Sequence, residues 1–207
     1  MRAVLIANGW LTQPVELLPG DILIAADGGA RHCLKFGLIP AYVVGDMDSL
    51  NDQDIAMLQE QGCQFIRYPS RKDYTDLELA MMHAQELGAS EILVLAALGA
   101  RWDQTLANLL LPAALAPAHI RIIDGNQEIA YLHGGESISI HGHPGDTVSL
   151  IPLAGDASGI TTQGLEYSLN QEDLVFGSTR GISNMMLGEE ATIDLKEGLM
   201  LCTTIHR

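Results

Sequence analysis

The stretch Val43-Val44-Gly45-Asp46-Met47-Asp48-Ser49 joins the end of an apolar run to two carboxylates that are one residue apart. The two valines are typical of the end of a buried strand, and the glycine permits a backbone angle that other residues resist. Open α/β sheets bind ligands just past the carboxyl ends of their strands, where Asp46 and Asp48 would lie. Two carboxylates about 4 Å apart repel by roughly 4 kcal/mol at an effective dielectric of about 20, and a bound divalent cation would turn this repulsion into binding. Taken alone, the stretch also fits a polar turn before a helix, with Asp48 or Ser49 as the N-cap.

The chain around this stretch alternates β-branched apolar runs with segments of helical periodicity. Short loops between these segments predict a parallel sheet that is covered by helices on both faces. The predicted strands are 3–7, 21–26, 42–44, 63–67, 91–97 and 120–123, and the predicted helices are 30–36, 51–61 and one that starts at the capping box of Thr75 and Glu78. The apolar segment 103–115 is predicted as a buried helix with Asp103 as its N-cap.

The character of the sequence changes at Asp124-Gly125-Asn126. Beyond this point no segment has convincing helical periodicity, and turn residues recur about every eight to twelve residues. Strands are predicted at 137–140, 147–152, 191–195 and 199–205. The expected fold is therefore an α/β parallel-sheet, Rossmann-like N-terminal domain at 1–124, followed by a small all-β sandwich domain at 125–207.

The composition argues against several classes of partner. The 207 residues are 47% hydrophobic, which is ample for a core, and they carry a net charge of −15 with only 11 Lys and Arg. A large basic face for nucleic acid or an anionic membrane is therefore not expected. No run approaches the ~18 apolar residues of a membrane helix. Cys33, Cys63 and Cys202 are scattered without a CxxC, which disfavours a disulfide framework or a zinc site and favours a reducing, cytoplasmic location.

Four polar clusters follow successive predicted strands: Asp27-Gly28-Gly29, Asp46 with Asp48, residues 71–76, and residues 101–103. Because the carboxyl ends of parallel strands meet at one edge of the sheet, we expect these clusters to converge. Each cluster alone also fits a structural explanation, such as a tight turn, a helix cap or an acid near a helix dipole. Four clusters at successive strand ends favour a binding site.

The residue types in these clusters indicate a metal and phosphate site. Convergence would bring together five carboxylates and three basic side chains, which are Asp27, Asp46, Asp48, Asp73, Asp76, Arg71, Lys72 and Arg101. Oxygen ligands without histidine suit Mg²⁺, and neighbouring Arg and Lys suit phosphate oxygens. The sequence has neither a GxxxxGK[ST] loop nor a GxGxxG fingerprint, so a P-loop or dinucleotide enzyme is not expected.

The same residues, in this order, resemble the thiamine pyrophosphokinase family. The motifs that carry the resemblance are DGGA at 27–30, GDMDS at 45–49, DYTD at 73–76, GARWDQ at 99–104 with Asn108, GLEY at 164–167 and GISN at 181–184. The resemblance covers nearly the whole chain. It implies an α/β catalytic domain followed by a β-sandwich, and transfer of a pyrophosphoryl group from ATP to the thiamine hydroxyl, giving thiamine diphosphate and AMP. It also implies a homodimer whose active sites lie between subunits.

The resemblance assigns roles to individual residues. Asp46, Asp48 and Asp76 would hold Mg²⁺ on the ATP phosphates, and with Asp73 and Arg101 they would form the catalytic set. The nucleotide side would be formed by Asp27, Gly28, Gly29, Ser49, Arg71, Lys72, Thr75, Arg101, Asp103 and Gln104. Ser183 and Asn184 of the β domain would face thiamine, and Trp102 would serve the adenine or the thiamine, or merely pack. Asp73 and Asp76 are both candidates to orient or deprotonate the hydroxyl.

The sequence departs from the family at one position. Some members place an aromatic ring a few residues after the Ser-Asn pair, over the thiamine, whereas here Met185-Met186-Leu187 follows Asn184. The stacking partner of thiamine is therefore open. Two other functions would use the same site: a pyrophosphokinase for another alcohol, such as a hydroxymethyl-pterin, and a non-catalytic nucleotide or metal sensor. The Ser-Asn pair in a β-sandwich favours thiamine, and the intact set of acids disfavours a sensor.

Overall fold

The computed structural model describes residues 1–115 and 119–207. The chain divides into two compact units, Met1–Gly125 and Asn126–Arg207. This division falls one residue beyond the boundary expected from the change in sequence character. Within the described ranges, no helix has the length and apolar character needed to cross a membrane.

The first unit is built on six parallel strands. They are β1 (Arg2–Ile6), β2 (Ile22–Ala26), β3 (Tyr42–Gly45), β4 (Gln64–Arg67), β5 (Glu91–Leu95) and β6 (His119–Asp124), and they lie in the order β6-β5-β1-β2-β3-β4 with parallel pairing throughout. The strand order reverses between β1 and β5. In sheets of this kind, such a reversal opens a crevice at the carboxyl ends of the two strands, and ligands bind there.

Helices accompany these strands and begin close to the predicted positions. They are α1 (Gly29–Lys35), α2 (Asp52–Glu60), α3 (Asp76–Glu86) and α4 (Trp102–Leu110), and a single 3-10 turn follows at Leu111–Ala114. Thr75 is the N-cap of α3, as predicted, because its hydroxyl accepts a hydrogen bond from Glu78 N at 3.2 Å. The cap fixes the start of α3, and with it the position of Asp76 in the first helical turn.

The last helix of this unit departs from the prediction in two respects. It begins at Trp102 rather than after Asp103, whose carboxylate is bound by the side chain of Arg101 and does not cap the helix. It is also not buried: Trp102, Leu106 and Leu110 are 78%, 56% and 53% exposed. Their spacing of four residues places them on one face, whereas Thr105 is buried and contacts Gly99. The prediction of an apolar helix was therefore correct, but the apolar face of this helix is exposed and does not pack in the core of the unit.

The second unit is an all-β sandwich. Its strands are β7 (Gln127–His133), β8 (Ser137–His141), β9 (Thr147–Pro152), β10 (Ala157–Gln163), β11 (Glu172–Leu174), β12 (Asn184–Met185), β13 (Glu190–Asp194) and β14 (Leu199–Ile205). They form two antiparallel sheets in the orders β12-β9-β14-β7 and β11-β10-β13-β8. Leu150 and Met200 from the first sheet pack in one core with Ile160 and Ile193 from the second.

Four strands of the second unit, β7, β10, β11 and β12, were not predicted. Two of them are only two or three residues long. In β10 the pairing register shifts between Ala157 and Ile160, and Gly159 adopts a φ of +66°. A bulge of this kind breaks the alternation of inward and outward side chains on which strand prediction depends.

The buried Asp146 ties the end of the chain to the turn between β8 and β9. It is 1% exposed. Its carboxylate lies 2.9 Å from His206 Nδ1 and accepts hydrogen bonds from the backbone N of His143 at 3.0 Å and of Arg207 at 3.1 Å. These bonds, above all the one from the His206 ring, lower the pKa of Asp146 to about 2.

All three cysteines are unpaired and buried. Burial raises the pKa of Cys33 to about 12, that of Cys63 to about 11 and that of Cys202 to about 12. The three thiols are therefore protonated at neutral pH.

Candidate active site

Three carboxylates meet where β2 and β3 end and α3 begins. Asp27 follows β2, Asp46 follows β3 and Asp76 opens α3. One carboxylate oxygen from each lies within 4.8 Å of the other two. All three line one cavity of about 300 Å³, together with Asp48 and Ser49. Residues of all four predicted polar clusters therefore line this cavity: the first two clusters contribute Asp27, Asp46 and Asp48, the third contributes Asp76 with Thr75, and the fourth contributes Arg101.

The close approach of these acids depends on Gly45. Its φ is +154°, which L side chains rarely adopt. A Cβ atom at this position would lie 2.9 Å from Asp27 Cβ and 2.9 Å from Asp76 Oδ1. A larger residue at position 45 is therefore disfavoured for two reasons: the backbone conformation, and the space that Asp27 and Asp76 occupy.

Asp27 is held in an unusual backbone conformation at the centre of the group. Its φ is +41°, which is uncommon for a residue other than glycine, and its backbone N donates to Val44 O at 2.9 Å. Its Oδ2 accepts a hydrogen bond from the Ser49 hydroxyl. Its Oδ1 is buried, and no group in the described part of the chain donates a hydrogen bond to it. Such an oxygen costs free energy unless a ligand supplies the missing partner.

The two glycines after Asp27 are required by the packing of the chain itself. A Cβ atom on Gly28 would lie 2.4 Å from the side chain of Asn8, and one on Gly29 would lie 1.9 Å from Ile6 O. The start of α1 therefore lies directly against the end of β1. This contact explains both glycines whether or not an anion approaches them.

The electrostatic surroundings shift the pKa values of Asp46 and Asp76 in opposite directions. The pKa of Asp46 is lowered, mainly because its Oδ1 accepts a hydrogen bond from Asp48 N at 3.2 Å, with help from Ser70. The pKa of Asp76 is raised, mainly by burial and further by the charges of Asp27 and Asp46, although Lys72 Nζ lies 3.0 Å from its Oδ1 and opposes the rise. Negative charge is thus concentrated here, and a cation would relieve the repulsion.

Only part of the predicted set lines this cavity. Among the described residues, the predicted members of the lining are Asp27, Asp46, Asp48, Ser49, Thr75, Asp76, Arg101 and Gln104. The lining does not include Gly28, Gly29, Arg71, Lys72, Asp73, Trp102 or Asp103. Arg71, Asp73 and Trp102 are exposed, Lys72 pairs with Asp76, and Asp103 pairs with Arg101 at 2.6 Å.

Two asparagines line the cavity without having been assigned a role. Asn8 follows β1, and Asn108 lies on α4, where its Nδ2 donates to Ala97 O at 2.7 Å. Both also line an adjoining cavity of about 370 Å³ that contains Trp10 and Arg101. Asn8 carries the signal that identified the other clusters, because it is a polar residue just past the end of a strand. Polar clusters were predicted only after the second and later strands.

The second unit has a cavity of its own, of about 510 Å³. Asn184 lines it together with Glu166 and Tyr167. Ser183 precedes Asn184 with a φ of +61°, and its backbone N donates to Ser149 Oγ at 3.0 Å. The residues predicted to face thiamine are therefore Asn184 at this cavity and Ser183 beside it.

The chain is similar to known enzymes over most of its length. It is 30% identical over 180 residues to the thiamine pyrophosphokinase of Bacillus subtilis, covering 86% of this chain and 84% of that one. It is 25% identical to thiamine pyrophosphokinase 1 of Arabidopsis thaliana, covering 99% and 86%. The crystal structure of the Bacillus subtilis thiamine pyrophosphokinase superposes with a TM-score of 0.88, and that of an Enterococcus faecalis family protein with 0.85; both comparisons cover 100% of each chain, at 25% and 26% identity.

Two family models match consecutive parts of the chain. Residues 18–123 match the catalytic domain of thiamin pyrophosphokinase, and residues 136–200 match its vitamin B1 binding domain. A catalytic domain with an acidic cavity, followed by a substrate-binding β domain, defines the class as an ATP-dependent diphosphotransferase. The chain belongs to the thiamin pyrophosphokinase family. Its function is transfer of a pyrophosphoryl group from ATP to thiamine, and neither the pterin alternative nor the sensor is favoured.

Proposed function

We propose that the acidic cavity of the first unit, as part of a Rossmann-like nucleotide-binding domain, is where the pyrophosphoryl group passes from ATP to the thiamine hydroxyl and AMP is released. The observation that carries this proposal is the meeting of Asp27 and Asp46, which follow β2 and β3, with Asp76 at the start of α3. The cavity also reaches Asn8 after β1 and Arg101 after β5, the two strands between which the strand order reverses.

The residues of the cavity fit Mg²⁺. Their donor atoms are carboxylate oxygens, which this ion prefers, and the buried Asp27 Oδ1 lacks a hydrogen-bond partner in the described part of the chain. The cluster of carboxylates consists of Asp27, Asp46 and Asp76, and Asp48 lines the same cavity outside that cluster. We assign Asp46, Asp48 and Asp76 to the ion, with Asp27 close enough to Asp46 and Asp76 to join them. When bound, Mg²⁺ would neutralise the phosphate oxygens of ATP and polarise the phosphorus under attack.

The protein's own contribution is mainly position and charge. Arg101 lines the cavity and would contact phosphate oxygens, and its pairing with Asp103 holds the guanidinium at the rim. Lys72 lies beside Asp76 and would limit repulsion among the acids. Of the two candidates to orient the thiamine hydroxyl, Asp76 lies in the cavity and Asp73 does not. We therefore favour Asp76.

We place thiamine between two subunits of a homodimer. Ser183 and Asn184 would come from the β unit of one subunit, and Trp102 would come from the other. The exposed apolar face of α4, formed by Trp102, Leu106 and Leu110, supports contact with a second copy, since burying it would remove apolar surface from water. A cytoplasmic location agrees with three free thiols.

One assay tests this function directly. The protein is incubated with ATP, Mg²⁺ and thiamine, and the nucleotides are followed over time. We expect AMP, not ADP, to appear only when thiamine is present, and chelation of Mg²⁺ to stop its formation. AMP that appears only with a pterin alcohol, or nucleotide binding without any turnover, would contradict the proposal.

A further inference from the structure

The side chain of Asn184 is already used by the protein itself. Its Oδ1 accepts a hydrogen bond from Tyr167 N at 3.0 Å, and its Nδ2 donates to Tyr167 O at 2.8 Å. The same Oδ1 accepts from Met185 N at 2.9 Å. Both ends of the amide are therefore engaged with main chain, and the residue they hold is Tyr167.

The two residues before Tyr167 are also held in place. Glu166 N donates to Met185 O at 2.9 Å, and Leu165, which is buried, pairs with Met186 in an isolated β-bridge. Despite this fixed backbone, the Tyr167 side chain is 69% exposed. Binding at this exposed ring would not have to order the main chain that carries it, which removes part of the entropic cost.

Tyr167 lines the cavity of about 510 Å³, together with Asn184 and Glu166. The cationic residue in the lining, Arg180, is paired with the carboxylate of Glu172. The carboxylate of Glu166 therefore adds negative charge beside an aromatic ring and the apolar side chain of Ile182. This combination favours a flat organic cation.

We propose that Tyr167 provides the aromatic contact for the thiazolium ring of thiamine, and that Asn184 is a positioning residue that acts through Tyr167. This inference rests on the proposed function, because it takes thiamine to be the ligand of the β unit. It supplies the aromatic partner that the segment after Asn184, Met185-Met186-Leu187, does not provide. Glu166 adds electrostatic attraction for the positively charged ring.

The first test compares variants of Tyr167 in the steady-state assay. Loss of a cation–π contact predicts that Tyr167→Leu raises the thiamine KM about tenfold and changes the ATP KM by less than about twofold. Tyr167→Phe keeps the ring and should stay close to wild type. Phe176→Ala is the matched control, because Phe176 is also exposed in this unit, at 57%, and is outside the lining of the cavity.

A neutral probe tests the role of charge. Deazathiamine, the thiophene isostere of thiamine, has the same shape without the positive charge. Wild type should bind thiamine more tightly than this isostere, and Tyr167→Leu should reduce that preference. An unchanged preference in Tyr167→Leu would remove the cation–π contact from the proposal.

A double-mutant cycle tests the positioning role of Asn184. Asn184→Ala alone should raise the thiamine KM more than the ATP KM. In the Tyr167→Leu background the same change should add little, because the residue it positions has already been removed. Multiplicative effects would show that Asn184 acts independently of Tyr167 and would overturn this part of the proposal. Asn184→Asp, which keeps the acceptor for Tyr167 N but loses the donor to Tyr167 O, replaces Asn184→Ala if that variant does not fold.

The outcomes separate this inference from the proposed function. If wild type forms no AMP with thiamine, the proposed function fails, whatever the variants do. If wild type is active and Tyr167→Leu keeps the wild-type thiamine KM, the function stands and the inference is overturned. Melting temperatures of all variants, together with calorimetric titration of thiamine, distinguish a lost contact from a lost fold.

Discussion

At the scale of single residues, the acidic site depends as much on the residue without a side chain as on the acids. Gly45 lies between Asp27 and Asp76, and both would collide with a Cβ atom at its position. The clamp between Asn184 and Tyr167 makes a similar point, because there the amide serves the backbone of a neighbour. Residue type alone therefore does not reveal whether a side chain touches a ligand.

Removal of one carboxylate charge from the site tests its role in catalysis. Asp46→Asn should lower kcat by at least ~10²-fold, since loss of a metal or oxyanion partner costs on the order of 3 kcal/mol. The measurement is AMP formation at saturating ATP and thiamine over a range of Mg²⁺ concentrations. Wild-type turnover at high Mg²⁺ would remove Asp46 from the metal site.

Addition of a single methyl group tests the packing of the site. Gly45→Ala should weaken Mg²⁺ binding, because the new Cβ would displace Asp27 and Asp76, each only 2.9 Å away. The Mg²⁺ concentration for half-maximal activity should rise, and the melting temperature should fall. Gly37→Ala is the control, because Gly37 also has a positive φ, +68°, but nothing lies within 4 Å of its Cβ position. Its effect should be on stability alone.

The sequence predicted the acids better than their partners. Asp27, Asp46 and Asp76 were identified because each follows a strand or opens a helix, and local pattern is enough to place such positions. The contacts of Lys72 and Asp103 were missed. Lys72 is four residues before Asp76, but it precedes the N-cap Thr75, so the pairing rule for helical surfaces does not apply to it. Asp103 was predicted as a helix cap and instead pairs with Arg101. The clamp on Tyr167 bridges 17 residues, and nothing in the local pattern indicates it.

At the scale of secondary-structure elements, the ends of helices and strands decide what the site contains. The N-cap Thr75 sets the first turn of α3 and so presents Asp76. Capping is a local interaction, which is why this helix start was predicted to the residue. The predicted start of α4 was wrong, because the side chain of Arg101 binds the carboxylate of Asp103 and the carboxylate does not cap the helix.

The turn between β8 and β9 should give the protein a distinct response to acid. The pKa of Asp146 is about 2 in the folded protein, against an ordinary value of 3.8. Its contribution to stability is therefore complete above the ordinary value and is lost as the pH falls toward 2. Asp146→Asn should be less stable than wild type at neutral pH, and the difference should shrink between about pH 4 and pH 2.

Urea unfolding over this pH range measures the effect. His206→Gln should show a smaller version of it, because the bond from the His206 ring is the largest cause of the lowered pKa. Parallel stability curves for Asp146→Asn and wild type would contradict the assignment.

At the scale of the whole molecule, the sequence predicted the order of the two units. It did not predict which apolar surfaces are exposed. Alternating apolar runs and helical segments predicted the first sheet, and regular turn signals predicted the second unit. The exposed face of α4 could not be distinguished from a buried one, because apolar periodicity is the same for a helix that packs on its own chain and for one that packs on another.

Mixed dimers test whether the active site lies between subunits. The Asp46→Asn and Asn184→Ala variants are both expected to have impaired activity. The two substitutions lie in different units of the chain. If each site combines the first unit of one subunit with the second unit of its partner, subunit exchange restores one intact site in each mixed dimer. Random pairing of equal amounts then gives roughly one quarter of wild-type activity at low thiamine.

The control for this experiment pairs Asp46→Asn with Asp76→Asn. Both changes lie in the same unit, so no mixed dimer contains an intact site. The activity of the mixture of Asp46→Asn and Asn184→Ala is compared with the summed activities of the two variants measured separately. If the mixture is no more active than this sum, each active site lies within one subunit. A monomeric mass in light scattering would contradict the homodimer itself.

The burial of Cys33, Cys63 and Cys202 has a practical consequence for chemical labelling. With raised pKa values and no exposed sulfur, the native thiols should react slowly with maleimides while the protein is folded. A cysteine introduced on the surface, for example by Phe176→Cys, would then be the site that takes up a dye, without removal of any native cysteine. Fluorescent reporters of subunit exchange can therefore be attached to the otherwise unmodified chain.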